Sequence, residues 1–129
     1  MTTITLPVLE NPNSGPSLFT EQSLSLEDYN GLIISPRIDA LNFRHRVSEP
    51  GYFSNWHVAG DPTLILIRRG ILRIGLRDGS YRDFAAGDVF IAKDKLDDNE
   101  SFNEQLHGHT AQVIGDQTLI AIHIKLESL

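Results

Sequence analysis

"TLILIRRGILRIGLRDGSYRDFAAGDVFIA" (63–92) decides the fold, because apolar side chains recur along it with a period of two. In an extended chain Thr63, Ile65 and Ile67 share one face and Leu64 and Leu66 the other, as expected for a strand covered on both sides. Residues 70–84 predict a hairpin. Leu72, Ile74 and Leu76 alternate there with Arg73, Gly75 and Arg77, up to Asp78-Gly79, a type I′ turn signal. Residues 85–92 add a turn and a further strand.

The same rhythm extends to either side. In "LNFRHRV" (41–47), Leu41, Phe43, His45 and Val47 lie on one face and Asn42, Arg44 and Arg46 on the other. "SEPGYF" (48–53) is a turn cluster, and residues 110–126 give two strands joined at Gly115-Asp116. One stretch breaks the pattern: residues 93–109 form a long connection with five acids between positions 94 and 104, expected near the mouth of any site. Residues 1–36, rich in Ser, Thr, Pro and Asn, are expected as an irregular arm on a body spanning 37–129. "SLEDYN" (25–30) is expected as a helical turn capped by Ser25. Short strands with tight turns indicate an all-β, single-domain, antiparallel barrel or sandwich.

Bulk properties narrow the function classes. The chain has 129 residues, 40% of them hydrophobic, enough for one sizeable core. A net charge of −6 argues against a nucleic-acid partner. There is no cysteine, hence no disulfide or thiolate metal site. No leader-like start or membrane-length apolar run is seen, so a soluble cytoplasmic protein is expected. Charge is uneven: residues 37–82 carry eight arginines against four acids. That excess admits an anionic ligand, but solvated strand faces are the expected cause. No nucleophile elbow or phosphate-binding loop is present.

Around "GYFSNWHVAGDPT" (51–63) the spacing resembles the cupin family, whose first motif is G-x5-H-x-H-x3-E-x6-G. Here it runs Gly51, His57, Ala59, Thr63, Gly70, with the second histidine and the glutamate replaced by Ala59 and Thr63. The second motif is matched more loosely by Gly87-Asp88 and His109. The chain is also similar to small bacterial single-domain cupins in Trp56-His57, "DGSYRDFAAGDV" (78–89), Gly108-His109 and "VIGD" (113–116). The resemblance covers roughly residues 40–126. It implies a jelly-roll-type double-stranded β-helix barrel with its site inside, lined by His57, His109, Thr63 and Ala59, with His45 a further candidate.

The resemblance also implies a divalent transition metal (Zn, Fe, Mn or Ni) on His57 and His109, with His107 as a third candidate ligand, although two motif ligands are missing. Three functions stay open: a small-molecule binding module, a metal-dependent dioxygenase, isomerase or lyase, and a metal-free enzyme with a histidine base. His123 is expected to be structural, and Trp56 to pack outside the barrel. Leu64 and Leu66 need cover, which a homodimer or the N-terminal arm would supply.

Overall fold

The computed structural model describes residues 2–129. Twelve strands follow in chain order: β1 (Thr3–Glu10), β2 (Leu18–Ser25), β3 (Glu27–Tyr29), β4 (Leu32–Ile34), β5 (Ala40–Ser48), β6 (Phe53–His57), β7 (Thr63–Arg69), β8 (Ile71–Gly75), β9 (Tyr81–Phe84), β10 (Val89–Ala92), β11 (His109–Ile114) and β12 (Leu119–Leu126). They build a six-stranded sheet in the order β2-β1-β10-β7-β12-β5, a four-stranded sheet in the order β6-β11-β8-β9, and the separate β3–β4 hairpin. The two larger sheets face each other. Among the described residues no helix is long and apolar enough to cross a membrane.

Several sequence expectations are corrected. Residues 3–25, expected in an irregular arm, form two strands of the six-stranded sheet, with β1 antiparallel to β2 and parallel to β10. Pro7 disguises β1. It is tolerated because β10 pairs with β1 only at Val8 and Leu9, which leaves Pro7 on an edge. "SLEDYN" is not helical but enters the β3–β4 hairpin. Its turn is Asn30-Gly31, with φ of 54° and 96°, the positive pair a type I′ turn requires. The 76–80 connection is a hairpin turn of another class. Only Gly79 has positive φ, Gly79 N–H donates to the Leu76 carbonyl and Leu76 N–H to that of Ser80. That is a three-residue loop closed by a left-handed glycine.

One half of the space between the sheets is filled. Phe84 stacks on Phe90 at 4.1 Å and 17°, Phe19 leans on Phe84 at 5.9 Å, and Leu9, Ile67 and Leu72 pack around them. The other half is hollow because the chain places small residues there: Ala59, Ala92, Ala111, Ala121, Ser48 and Ser54. Close packing is the rule in protein interiors, so a row of alanines opposite open space marks a built cavity.

Candidate functional site in the barrel interior

The cavity, about 490 Å³, lies between β5, β12 and β7 on one side and β6, β11 and β8 on the other. That volume suits a small organic molecule. His57 enters through an irregularity in β6. The β11–β6 register pairs His109 with His57 but Ala111 with Ser54, so β6 carries one extra residue in this interval. The bulge turns both Ser54 and His57 into the cavity and leaves Trp56 outside, under the Arg77 guanidinium at 3.8 Å from the ring centroid.

It also brings the Asn55 carbonyl to 2.6 Å from His57 Nδ1, and Ser54 Oγ to 3.2 Å. The carbonyl can only accept, so Nδ1 carries the proton and Nε2 is left as the free acceptor. Burial, the field of His109 and the Arg46 charge together outweigh the Asn55 hydrogen bond and Asp94, and hold His57 below its usual pKa. Its imidazole is neutral at pH 7.

His109 lies beside it, the ring centroids 4.4 Å apart. Gly108 makes this approach feasible: a Cβ there would sit 2.6 Å from the His57 carbonyl oxygen, and φ is +88°. Behind His109 lies Asp94, fully buried, with Oδ2 at 2.6 Å from His109 Nδ1. The same carboxylate accepts from Ser17 Oγ at 2.6 Å and from the Ala59 amide at 2.8 Å. Burial acts to raise the Asp94 carboxyl, but the His109, Ser17 and Ala59 hydrogen bonds and the nearby imidazole outweigh it and hold the group below its ordinary value. An ionised Asp94 fixes the proton of His109 on Nδ1 and leaves Nε2 for the cavity.

The structure divides the sequence-predicted residues. His57, His109, Thr63 and Ala59 line the cavity together. His45 does not: it projects from the outer face of β5, because the inward residues of that strand are Asn42, Arg44, Arg46 and Ser48. His107 is buried outside the cavity. Its Nδ1 accepts from the Asn103 amide and its Nε2 faces the Ser14 carbonyl and Glu100, so it anchors the 93–108 connection rather than a ligand. That connection is tied to the β1–β2 turn through Asn11 and Lys95, and none of residues 93–107 lines the cavity, contrary to the mouth position expected.

Conversely, His123, expected to be structural, lines the cavity, and so do Arg44 and Arg46, expected on solvated faces. Burial first, then the charges of Arg46, Lys125 and Arg44, push His123 down to about 4. Asp94 was visible in the sequence only as one of five loop acids. Its place two residues after the apolar β10 run was the one signal setting it apart.

As a metal centre the donor set is incomplete. His57 and His109 supply two nitrogens, and among the described residues no group of three His, Asp or Glu gathers around one point. Asp94 is already engaged by three hydrogen-bond donors. Zn and Fe take three or four good protein ligands, so the residues present do not fit a resident ion of that kind.

No protein-family model matches the sequence, and no curated protein does. Solved structures do. An RmlC-like cupin family protein with a double-stranded β-helix fold from Methanocaldococcus jannaschii superposes with a TM-score of 0.50 at 16% identity, covering 78% of this chain and 87% of that one. A cupin 2 conserved barrel domain protein from Rhodopseudomonas palustris gives 0.48 at 14% identity, covering 98% and 72%. Another, from Salinispora arenicola, gives 0.46 at 18% identity, covering 80% and 82%. At 16% identity the likeness to the first of these speaks for architecture alone, and it agrees with the two facing sheets described above: the chain has the cupin double-stranded β-helix fold.

Proposed function

We propose that the protein binds a small molecule in the barrel interior, with His57 and His109 as its polar contacts at the inner end. The observation that carries this reading is the buried Asp94, which aims a histidine at a cavity walled by alanines. A buried carboxylate is costly unless it serves its partners. Here it holds the His109 ring by Nδ1 and leaves Nε2 to the cavity. The same observation favours a second reading, a metal-free enzyme in which His109 Nε2 takes or gives a proton on the bound molecule. The metal-dependent alternative has only the two histidine nitrogens in its favour. The absence of cysteine fits a reducing compartment, and we place the protein in the cytoplasm.

The test is a thermal-shift screen of small acids, amides, alcohols and sugars on the wild type and on Ala121→Phe, which fills the cavity from β12. Hits are expected to raise the wild-type Tm by several degrees and to leave the variant unmoved; at saturation a hundredfold above Kd the stabilisation is about 2.7 kcal/mol. Hits that stabilise both proteins equally would place binding elsewhere.

For a partner we propose a second copy of the chain. On the outer face of β5, Leu41, Phe43 and Val47 are 54%, 66% and 64% exposed. Phe43 and Val47 pair with Ile124 and Ile120 of β12, which extends the apolar face inward across the sheet. The β3–β4 hairpin adds exposed Leu32, Ile33 and Ile34. Three large exposed apolar side chains on one strand face suit an interface between copies of the chain. Light scattering is expected to give twice the 14.4 kDa chain mass. The double substitution Phe43→Glu/Val47→Glu is expected to halve it. A wild type that stays monomeric at tens of micromolar would refute the pairing.

A further inference from the structure

The charge of the cavity wall is one-sided. Arg44, Arg46 and Lys125 line it with three histidines, and among the described residues no aspartate or glutamate does. None of the three cations has a carboxylate within ion-pair distance. The carboxylates within such reach of a basic side chain among the described residues are Asp83 on Arg73, Glu100 on His107 and Asp94 on His109. The cations share one face of the β5–β12 pair. Register places Arg44 opposite His123, and Lys125 opposite Asn42 on the same inward face. Arg44 and Lys125 are therefore diagonal neighbours across β5 and β12, and no acid lies between them. The protein, with a net charge of −6, has acids to spare and places none of them here.

The arrangement is also graded by depth. Arg44 and Arg46 are solvent-exposed on edge strand β5 and form the rim, while the inner wall is apolar, with Ile65, Leu72 and Phe90 buried. Resting on the reading of the cavity as a binding site, we infer that its ligand is a small organic anion: a carboxylate or phosphate held at the rim by Arg44, Arg46 and Lys125, with an apolar body directed inward toward His57 and His109. Guanidinium groups match such oxyanions in geometry as well as charge. The Arg46 guanidinium lies 3.4 Å from His123 Nδ1, and the same three cations add to burial in holding that histidine down, so their field reaches the cavity wall.

Calorimetry with benzoate, phenyl phosphate and neutral benzamide tests this, together with 2-naphthoate and its amide, on the wild type, Arg44→Gln/Arg46→Gln and Ala121→Phe. In the wild type at least one anion is expected to bind at least ~10-fold more tightly than its amide, and to weaken as salt rises. The arginine variant should lose ~30-fold or more in anion affinity. Its unchanged affinity for the amide would show that the cavity is intact. Relative affinity for benzoate and phenyl phosphate tells carboxylate from phosphate. Amides that bind as well as anions, with both lost in Ala121→Phe, would overturn the anion inference and leave the cavity reading standing. Binding unaffected by Ala121→Phe, or none of any probe, would overturn both.

Discussion

Asp94→Ala is expected to lower the unfolding free energy by about 3–5 kcal/mol, because it leaves three buried donors without an acceptor at about 1–3 kcal/mol each, partly offset by removing a buried carboxylate. For a domain of this size that is a fall in Tm of roughly 10–20 °C. The magnitude follows from what is left behind: His109 Nδ1, Ser17 Oγ and the Ala59 amide all donate to this carboxylate. Each would remain buried without an acceptor.

Asp94→Asn should cost less, about 1–2 kcal/mol, because the amide oxygen still accepts. Its NH2 cannot accept from His109, so the ring is expected to move its proton to Nε2 and turn a donor toward the cavity. Calorimetry reads the first effect, and long-range proton–nitrogen correlation of the histidine side chains reads the second. A wild-type-like Tm in Asp94→Ala would sink this account of the site.

The pH dependence carries the same signature. The Asp94 carboxyl is depressed in the fold, so its contribution is present above its unfolded value of 3.8 and is lost as pH falls below it. His57 and His123 are also depressed, but as bases. Below their unfolded value of 6.5 the unfolded chain binds protons that the fold refuses, so stability already declines from about 6.5 toward 4. Asp94→Ala should keep that upper limb and flatten the one below 4. Loss of the upper limb instead would mean that the histidines are not buried as described.

The second large effect separates two glycines with the same φ. Gly79 and Gly108 both have φ of +88°, but a Cβ on Gly79 meets nothing within 4 Å, whereas on Gly108 it meets the His57 carbonyl oxygen at 2.6 Å and amide at 2.8 Å. Gly79→Ala is expected to cost only the left-handed backbone penalty, about 1 kcal/mol. Gly108→Ala adds a backbone clash that no side-chain rotation relieves, and a total above about 3 kcal/mol is expected. It should also push His57 off His109 and abolish anion binding, which Gly79→Ala leaves intact. Equal losses in the two variants would show that backbone strain, and not the seating of β11 on His57, gives Gly108 its importance.

The architecture was legible because period-two alternation and turn residues are local signals, and strands β7 to β12 emerge from them. Strands β1 and β2 were hidden by Pro7 and by polar residues suited to a sheet edge. The site was legible in part. The glycine and histidine spacing identified His57 and His109, but alternation in β5 cannot say which face is inward. Here the apolar side, Leu41, Phe43 and Val47, points outward, and the side bearing Arg44 and Arg46 points into the cavity. That inversion is physical: the interior is a polar-rimmed hollow, and the outer face carries the exposed apolar residues. Asp94 was illegible because its contacts with Ser17 and His109 depend on the path of an irregular connection, which periodicity does not describe.

The most direct test of the binding site uses the five histidines as reporters, in long-range proton–nitrogen spectra recorded as benzoate or 2-naphthoate is added. The account predicts that the ring nitrogens of His57, His109 and His123 shift together while those of His45 and His107 stay still. Shifts at His45 or His107 alone, or none at saturating ligand, would contradict a binding site in the barrel interior.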